Sequence, residues 1–301
     1  MKKFLVFLMA IALVAMVNAQ TLSGSIESGL KVVNDPSGTT VQHFSWGNGG
    51  TGWGKIKLSA VKDGTSLNAH FLTTDSSTVT IPAFWLSQKY FEGKLTTNIG
   101  KIDVDLFGTP YQGFGGIDAQ GLMVVGKVGD LSAGVTLPLN NVAQPLSSLG
   151  QFKAGASFNL KPFALVASYD NLASPVLSGS VSATFGQFWL GLDAQNVAGL
   201  TTISPYVDFT TKNGKFNATV DIWTDTADLV KNSETALWLN YWFKPEFRVL
   251  GRVILVGADG SIKTRGGFVF KPSTTTMIRA QVDSNWTTKN HTLNAYVSQS
   301  F

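Results

Sequence analysis

Basic residues gather toward the end of the chain at even spacings. Arg248 and Arg252 stand four apart, Lys263 and Arg265 two apart, and Arg279 follows. Between Lys244 and Lys289 there are eight basic residues against three acidic ones. On an extended strand, spacings of two and four put such groups on one face. A wall of one sign sets a local potential and concentrates counter-ions. The same charges also serve the plainer end of keeping a polar face solvated. A second set mixes rings with acids: Trp189 and Asp193, Tyr206 and Asp208, Asp221 and Trp223, then Trp238, Asn240 and Trp242. Aromatic faces beside carboxylates and amides suit sugars, whose ring faces stack while their hydroxyls hydrogen-bond. A one-residue slip of parity would instead leave those tryptophans at strand ends.

Other chemistry is excluded by residue type. There is no cysteine, so thiolate nucleophiles, disulfides and thiolate metal sites are ruled out. His43, His70 and His291 never fall at ligand spacing, and neither a metal nor a cofactor is expected. Gly47 to Gly52 fits GxGxxG, but it precedes a strand and opens no helix, so it is a loop and not a nucleotide cradle.

The elements that must carry these residues follow from the rest of the chain. Lys2 and Lys3 precede an uncharged apolar run, Phe4 to Val17, and Val17-Asn18-Ala19 fits a small-x-small cleavage site. Residues 1–19 are therefore expected to be a signal peptide. Beyond them no apolar stretch approaches the 18 residues of a helical membrane span. Only 14% of residues are charged, 31 are glycine, and the formal charge of +4 includes both leader lysines. That balance gives no reason to expect nucleic acid.

From Leu22 onward the pattern has a period of two in units of about ten residues, the length of a tilted membrane strand. Phe247, Val249, Val253 and Leu255 share one face, and Arg248 and Arg252 share the other. Short turns such as Lys62-Asp63-Gly64, Gly186-Gln187 and Lys244-Pro245-Glu246 alternate with longer links such as Asn140 to Gly150. Phenylalanines flank the short turns, among them Phe163, Phe185, Phe188, Phe209, Phe243, Phe247 and Phe270. Together they make one aromatic rim, as expected at a membrane interface. Residues 20–301 are thus expected to form an all-β fold, a transmembrane antiparallel β-barrel of about 18 strands, with 16 as the alternative. The count of 18 treats residues 34–52 as one long outer loop, although Thr40 to Trp46 also has strand character. Barrels of this size enclose an aqueous channel. Closure would bring Lys55 and Lys57 beside Arg248, Arg252, Lys263, Arg265 and Arg279, completing a basic pore-lining wall.

The last segment, His291 to Phe301, ends on phenylalanine with Leu293, Ala295 and Val297 on the same face. It resembles the C-terminal strand by which Gram-negative-type outer-membrane proteins are recognised by their assembly machinery, and the whole chain resembles the porin class. Residues 100–110 and 113–118 are similar to the segment where general porins enter an inward-folded loop that narrows the pore. Here 105–118 would be that constriction loop, with Asp105, Phe107, Tyr111, Phe114 and Asp118 as its candidate residues, although general porins usually carry more acidic residues there. The resemblance implies an outer-membrane porin passing small hydrophilic solutes by passive diffusion, surrounded by lipid, assembled as a homotrimer and without enzymatic activity. The basic wall adds an expected mild preference for anions. Two other readings stay open: a sugar-selective porin using the track Trp189, Asp193, Tyr206, Asp208, Asp221 and Trp223, and an outer-membrane hydrolase barrel using His43 or His291.

Overall fold

The computed structural model describes residues 21–44, 54–73, 79–104, 106–118, 120–139 and 151–301. The expected leader, the link from Asn140 to Gly150 and Asp105 lie outside them. Nineteen strand segments occur among the described residues. The first six are β1 (Thr21–Asp35), β2 (Gly38–Phe44), β3 (Gly54–Lys62), β4 (Thr65–Thr73), β5 (Val79–Tyr90) and β6 (Leu95–Lys101). Then come β7 (Gln120–Val128), β8 (Leu131–Pro138), β9 (Lys153–Leu160), β10 (Phe163–Asp170), β11 (Val176–Phe185), β12 (Phe188–Val197) and β13 (Leu200–Thr210). The last six are β14 (Phe216–Asp225), β15 (Glu234–Lys244), β16 (Phe247–Val256), β17 (Ile262–Phe270), β18 (Thr276–Asn285) and β19 (Asn290–Ser300).

From β3 to β19 each strand pairs antiparallel with the next, and β19 pairs with β1. The sheet therefore closes and leaves no edge. Its last residue takes part in the seam. Phe301 and Gly24 exchange backbone hydrogen bonds of 2.9 and 3.0 Å. A Cβ on Gly24 would meet the Phe301 ring at 2.7 Å, so glycine makes room for the terminal phenylalanine.

The strand count needs one correction in detail. Residues 38–44 are not loop but strand β2, because Asp35-Pro36-Ser37-Gly38 makes a tight turn in which Asp35 accepts the Ser37 N–H at 2.8 Å. β2 pairs with Gly29 to Asp35, and β3 pairs with Thr21 to Glu27 on the same side of β1. The two segments share one place in the barrel. Nineteen segments thus fill 18 positions.

Burial shows an inside-out protein. On β11, Leu177, Val181 and Phe185 are exposed, while Ser178, Ser180 and Ser182 are buried. The fully buried side chains include Gln281, Asp193 and Ser204. A soluble sandwich would reverse that order. Apolar exposure all round the outer face is what a hydrocarbon surround requires. At the short turns the aromatic residues meet across neighbouring strands. Phe163–Phe185, Phe188–Phe209, Phe243–Phe247 and Phe247–Phe270 lie 5.1 to 6.4 Å apart, centroid to centroid.

Candidate functional site: the inner wall and the inward loop

β6 stops at Lys101, and Ile102 turns into the barrel. Ile102 and Ile117 are buried against Ala83, Trp85 and Met123, which project inward from β5 and β7. Apolar side chains on a lumen face have no lipid to meet, and here they meet the two ends of residues 102–118. Polar contacts fix the same root. Asp103 accepts a 2.6 Å hydrogen bond from His70 Nδ1 and lies 3.9 Å from Lys55 Nζ. Lys153 reaches Asp118 at 2.9 Å and Asp170 at 3.2 Å.

From that root the segment runs along the inner face. Phe107 lies over Gly155 on β9, in space that a Cβ there would fill. Gly116 N–H donates to Ser168 Oγ on β10 at 3.1 Å. Thr109 N–H donates to the Phe114 carbonyl at 2.9 Å, and Phe114 N–H to Thr109 Oγ1 at 2.8 Å, closing the bend around Tyr111. The tip then docks on β12, β13 and β14. Tyr111 and Gln112 donate their N–H groups to Asp193 Oδ2 at 3.1 and 2.7 Å. Gln112 Nε2 donates to Ser204 Oγ at 2.8 Å, and the Tyr111 hydroxyl donates to Asp221 at 2.6 Å. The Tyr111 ring stacks on Tyr206 at 4.5 Å and 15°, with Trp189 edge-on at 6.3 Å. Burial, and then Asp221, raises the Tyr111 pKa above the ordinary phenol value.

Four residues of the aromatic and acidic track, Trp189, Asp193, Tyr206 and Asp221, therefore lie against the loop tip. Tyr206 is only 3% exposed. Asp208 accepts Asn217 Nδ2 and Thr219 Oγ1, both at 2.6 Å, and Trp223 stands opposite Glu234. Of the candidate loop residues, Phe107, Tyr111, Phe114 and Asp118 take the places just given. His70, Lys153, Gln112 and Asp170 belong to the same assembly, although spacing alone did not single them out.

The basic residues lie on other strands, with Lys55 near Asp103 at the loop root and Arg252 beside the loop tip. Arg252 stacks on Trp238, its neighbour across β15 and β16, with the guanidinium carbon 3.7 Å from the ring centroid. Trp238 Nε1 in turn donates to Asp221 at 3.0 Å. Tyr111, Asp221, Trp238 and Arg252 thus form one chain of contacts from loop tip to basic wall, beside a cavity of about 280 Å³. Arg248 lies over Trp242 at 5.3 Å. Lys263 meets Glu234 at 3.1 Å, and Arg265 pairs with Asp283. Arg279 stands opposite Tyr296, and Lys57 opposite His70. His291 packs edge-on to Trp286 at 5.4 Å, and the side chain of His43 lies outside the described residues.

Comparison with solved structures matches this geometry over nearly the whole chain. A multiply substituted mutant of the Rh. blastica porin superposes with a TM-score of 0.58 at 13% identity, covering 93% of this chain and 99% of that one. The chain has a porin fold. A triple mutant of the Rhodopseudomonas blastica porin gives a TM-score of 0.57 at 14% identity with the same coverage. No protein-family model matches the chain, and no curated protein matches it. At that identity the porin fold is kept by pattern: inward polar, outward apolar, short turns on one rim.

Proposed function

We propose that the protein is an outer-membrane porin that lets small hydrophilic solutes diffuse passively, with a mild preference for anions. One observation carries this reading. The closed barrel has a polar interior, and the inward loop docks its tip on β12 to β14, with Arg248, Arg252, Lys263, Arg265 and Arg279 following on β16 to β18 and Arg252 at the edge of the docked tip. Barrels of about this strand number are wide enough for an aqueous path. Residues 105–118 narrow that path, and the field of the basic wall then acts on what passes.

The track Trp189, Asp193, Tyr206, Asp208, Asp221 and Trp223 serves in this proposal as the dock for the loop and not as a rail for sugars. The ring of Tyr206 is covered by Tyr111 and has little face left to offer. His70 is spent in anchoring Asp103, and the reading requires no catalytic group. Export by a leader cleaved after Ala19, assembly through the Phe301 strand and a homotrimer in outer-membrane lipid complete the proposal. Purified protein in a planar bilayer should give large, steady, ohmic steps, with a reversal potential under a KCl gradient on the chloride side. Absence of conductance from folded barrels would overturn it.

A further inference from the structure

We infer that the cavity between the loop tip and β14 to β16 binds a small zwitterion, an α-amino acid, with Arg252 taking its carboxylate and Asp221 its ammonium group. The inference deepens the pore reading and rests on it, since a solute reaches this cavity through the lumen.

The sheet register assembles the cavity. Thr219 on β14 stands opposite Trp238 on β15, and Trp238 opposite Arg252 on β16. Asp221 lies two residues along β14 from Thr219, and Asn240 two residues along β15 from Trp238, so all five side chains share the lumen face. Tyr111 and Gln112 of the loop tip line the same cavity, which has a volume of about 280 Å³. One indole fixes the two charges. The Arg252 guanidinium carbon lies 3.7 Å from the Trp238 ring centroid, and Trp238 Nε1 donates to Asp221 at 3.0 Å. A cation over the ring face and an anion off its edge thus border one small space.

The polar groups of this cavity fit the two ends of an amino acid. A guanidinium is a planar fork that matches a carboxylate with two parallel N–H bonds. At the other end the Tyr111 hydroxyl and Trp238 Nε1 both donate to Asp221 Oδ1, which leaves Asp221 Oδ2 to accept from an ammonium group. Acceptors surround it. Thr219 spends its hydroxyl hydrogen on Asp208 at 2.6 Å, and Asn240 gives an amide N–H to Asn217 Oδ1 at 3.2 Å, so the oxygens of both can accept. An ammonium group, with three donors and no acceptor, suits that end. A simple carboxylate would also meet Asp221, and a simple amine would also meet Arg252; only a zwitterion is attracted by both. Arg265 and Glu234 act on Arg252 as well, with opposite signs that offset each other. The volume lies below the range of about 300–1,000 Å³ that takes drug-sized ligands, which favours a short side chain such as that of alanine.

The test uses the refolded full-length barrel. Calorimetric titration in detergent compares L-alanine with propionate, which lacks the ammonium group, and with ethylamine, which lacks the carboxylate. L-alanine should bind at least tenfold more tightly than either. Arg252→Gln and Asp221→Asn should each weaken L-alanine about tenfold; the asparagine keeps an acceptor for Tyr111 and Trp238, so the loop stays docked. Propionate should weaken only in Arg252→Gln and ethylamine only in Asp221→Asn, a division that a merely loosened loop would not give. Wild-type protein that binds propionate or ethylamine as tightly as L-alanine would overturn the site, and this comparison decides even if a variant fails to refold. So would folded variants that bind L-alanine as the wild type does. Conductance in a planar bilayer reads the pore separately. Conducting channels without the calorimetric preference would overturn the site and leave the pore standing. The preference without any conductance would keep the site and sink the pore reading instead.

Discussion

Two halves of one inner wall treat the same kinds of residue in opposite ways. On β12 to β14 the carboxylates of Asp193 and Asp221 are buried, accept hydrogen bonds from the loop tip and face rings already stacked on Tyr111. On β15 and β16 tryptophans lie under arginines instead, Trp242 under Arg248 and Trp238 under Arg252. The first half uses its polar groups to hold structure. The second pairs its cations with rings and with Glu234 and Asp283, and no loop contact is made to Arg248, Lys263, Arg265 or Arg279 among the described residues. Polar, inward-facing side chains in a barrel are thus not equivalent, and what decides their role is whether a loop covers them.

The comparison can be broken in several places. The largest effect should come from its premise, that inward and outward faces are as described. Val253 is exposed on the outer face of β16, next to the inward Arg252. Val253→Arg puts a charge against hydrocarbon, and the folded barrel should lose about 2–4 kcal/mol, as read by equilibrium refolding in urea with lipid vesicles. If Val253→Arg folds like the wild type, the faces are reversed.

Asp193→Ala should act next most strongly. It removes the acceptor for two loop N–H groups from a fully buried position. Hydrogen bonds to charged groups contribute about 1.5–3 kcal/mol, so the tip should come away from β12 and single-channel conductance should rise with added current noise. An unchanged conductance would mean that the root alone holds the loop. Tyr111→Phe should do the same more weakly, losing one hydrogen bond worth about 1 kcal/mol.

The wild-type tyrosine also predicts a flat pH response. Its pKa is raised in the folded protein, so the phenol keeps its proton, and its bond to Asp221, through the pH at which an ordinary tyrosine ionises. The stabilisation it gives is lost only as pH rises through the higher folded value. Conductance should therefore show no step between pH 9 and 10.5. A step there that disappears in Tyr111→Phe would show the phenol to be exposed to water.

Much of the barrel was legible because its signal is periodic. Alternation along β16, β17 and β18 separates every arginine from the exposed apolar face, and the phenylalanines at the turns mark the rim. The strand-like Thr40 to Trp46 was visible, but not that β2 would share a position with β3, because pairing partners are not written in local pattern. The loop dock was legible only in part. Tyr111 and Asp118 lay in the suspected segment, and Asp193 and Asp221 in the suspected track, yet nothing local says that a tip reaches a strand some 80 residues away. A clue was present in Ala83, Trp85 and Met123, apolar residues at inward parity, where only another piece of protein can cover them. His70 and Lys153 gave no such clue, since a lone charge on a lumen face is ordinary.

The central claim is that the uncovered basic wall sets which ions pass. Its most direct measurement is the reversal potential of the Arg252→Glu, Arg265→Glu double variant under a tenfold KCl gradient. The variant should fold, insert and conduct, with its reversal potential moved from the chloride side toward potassium. A folded, conducting variant whose reversal potential equals that of the wild type would show that the wall lies away from the narrowest passage, and the account of the two halves would fail.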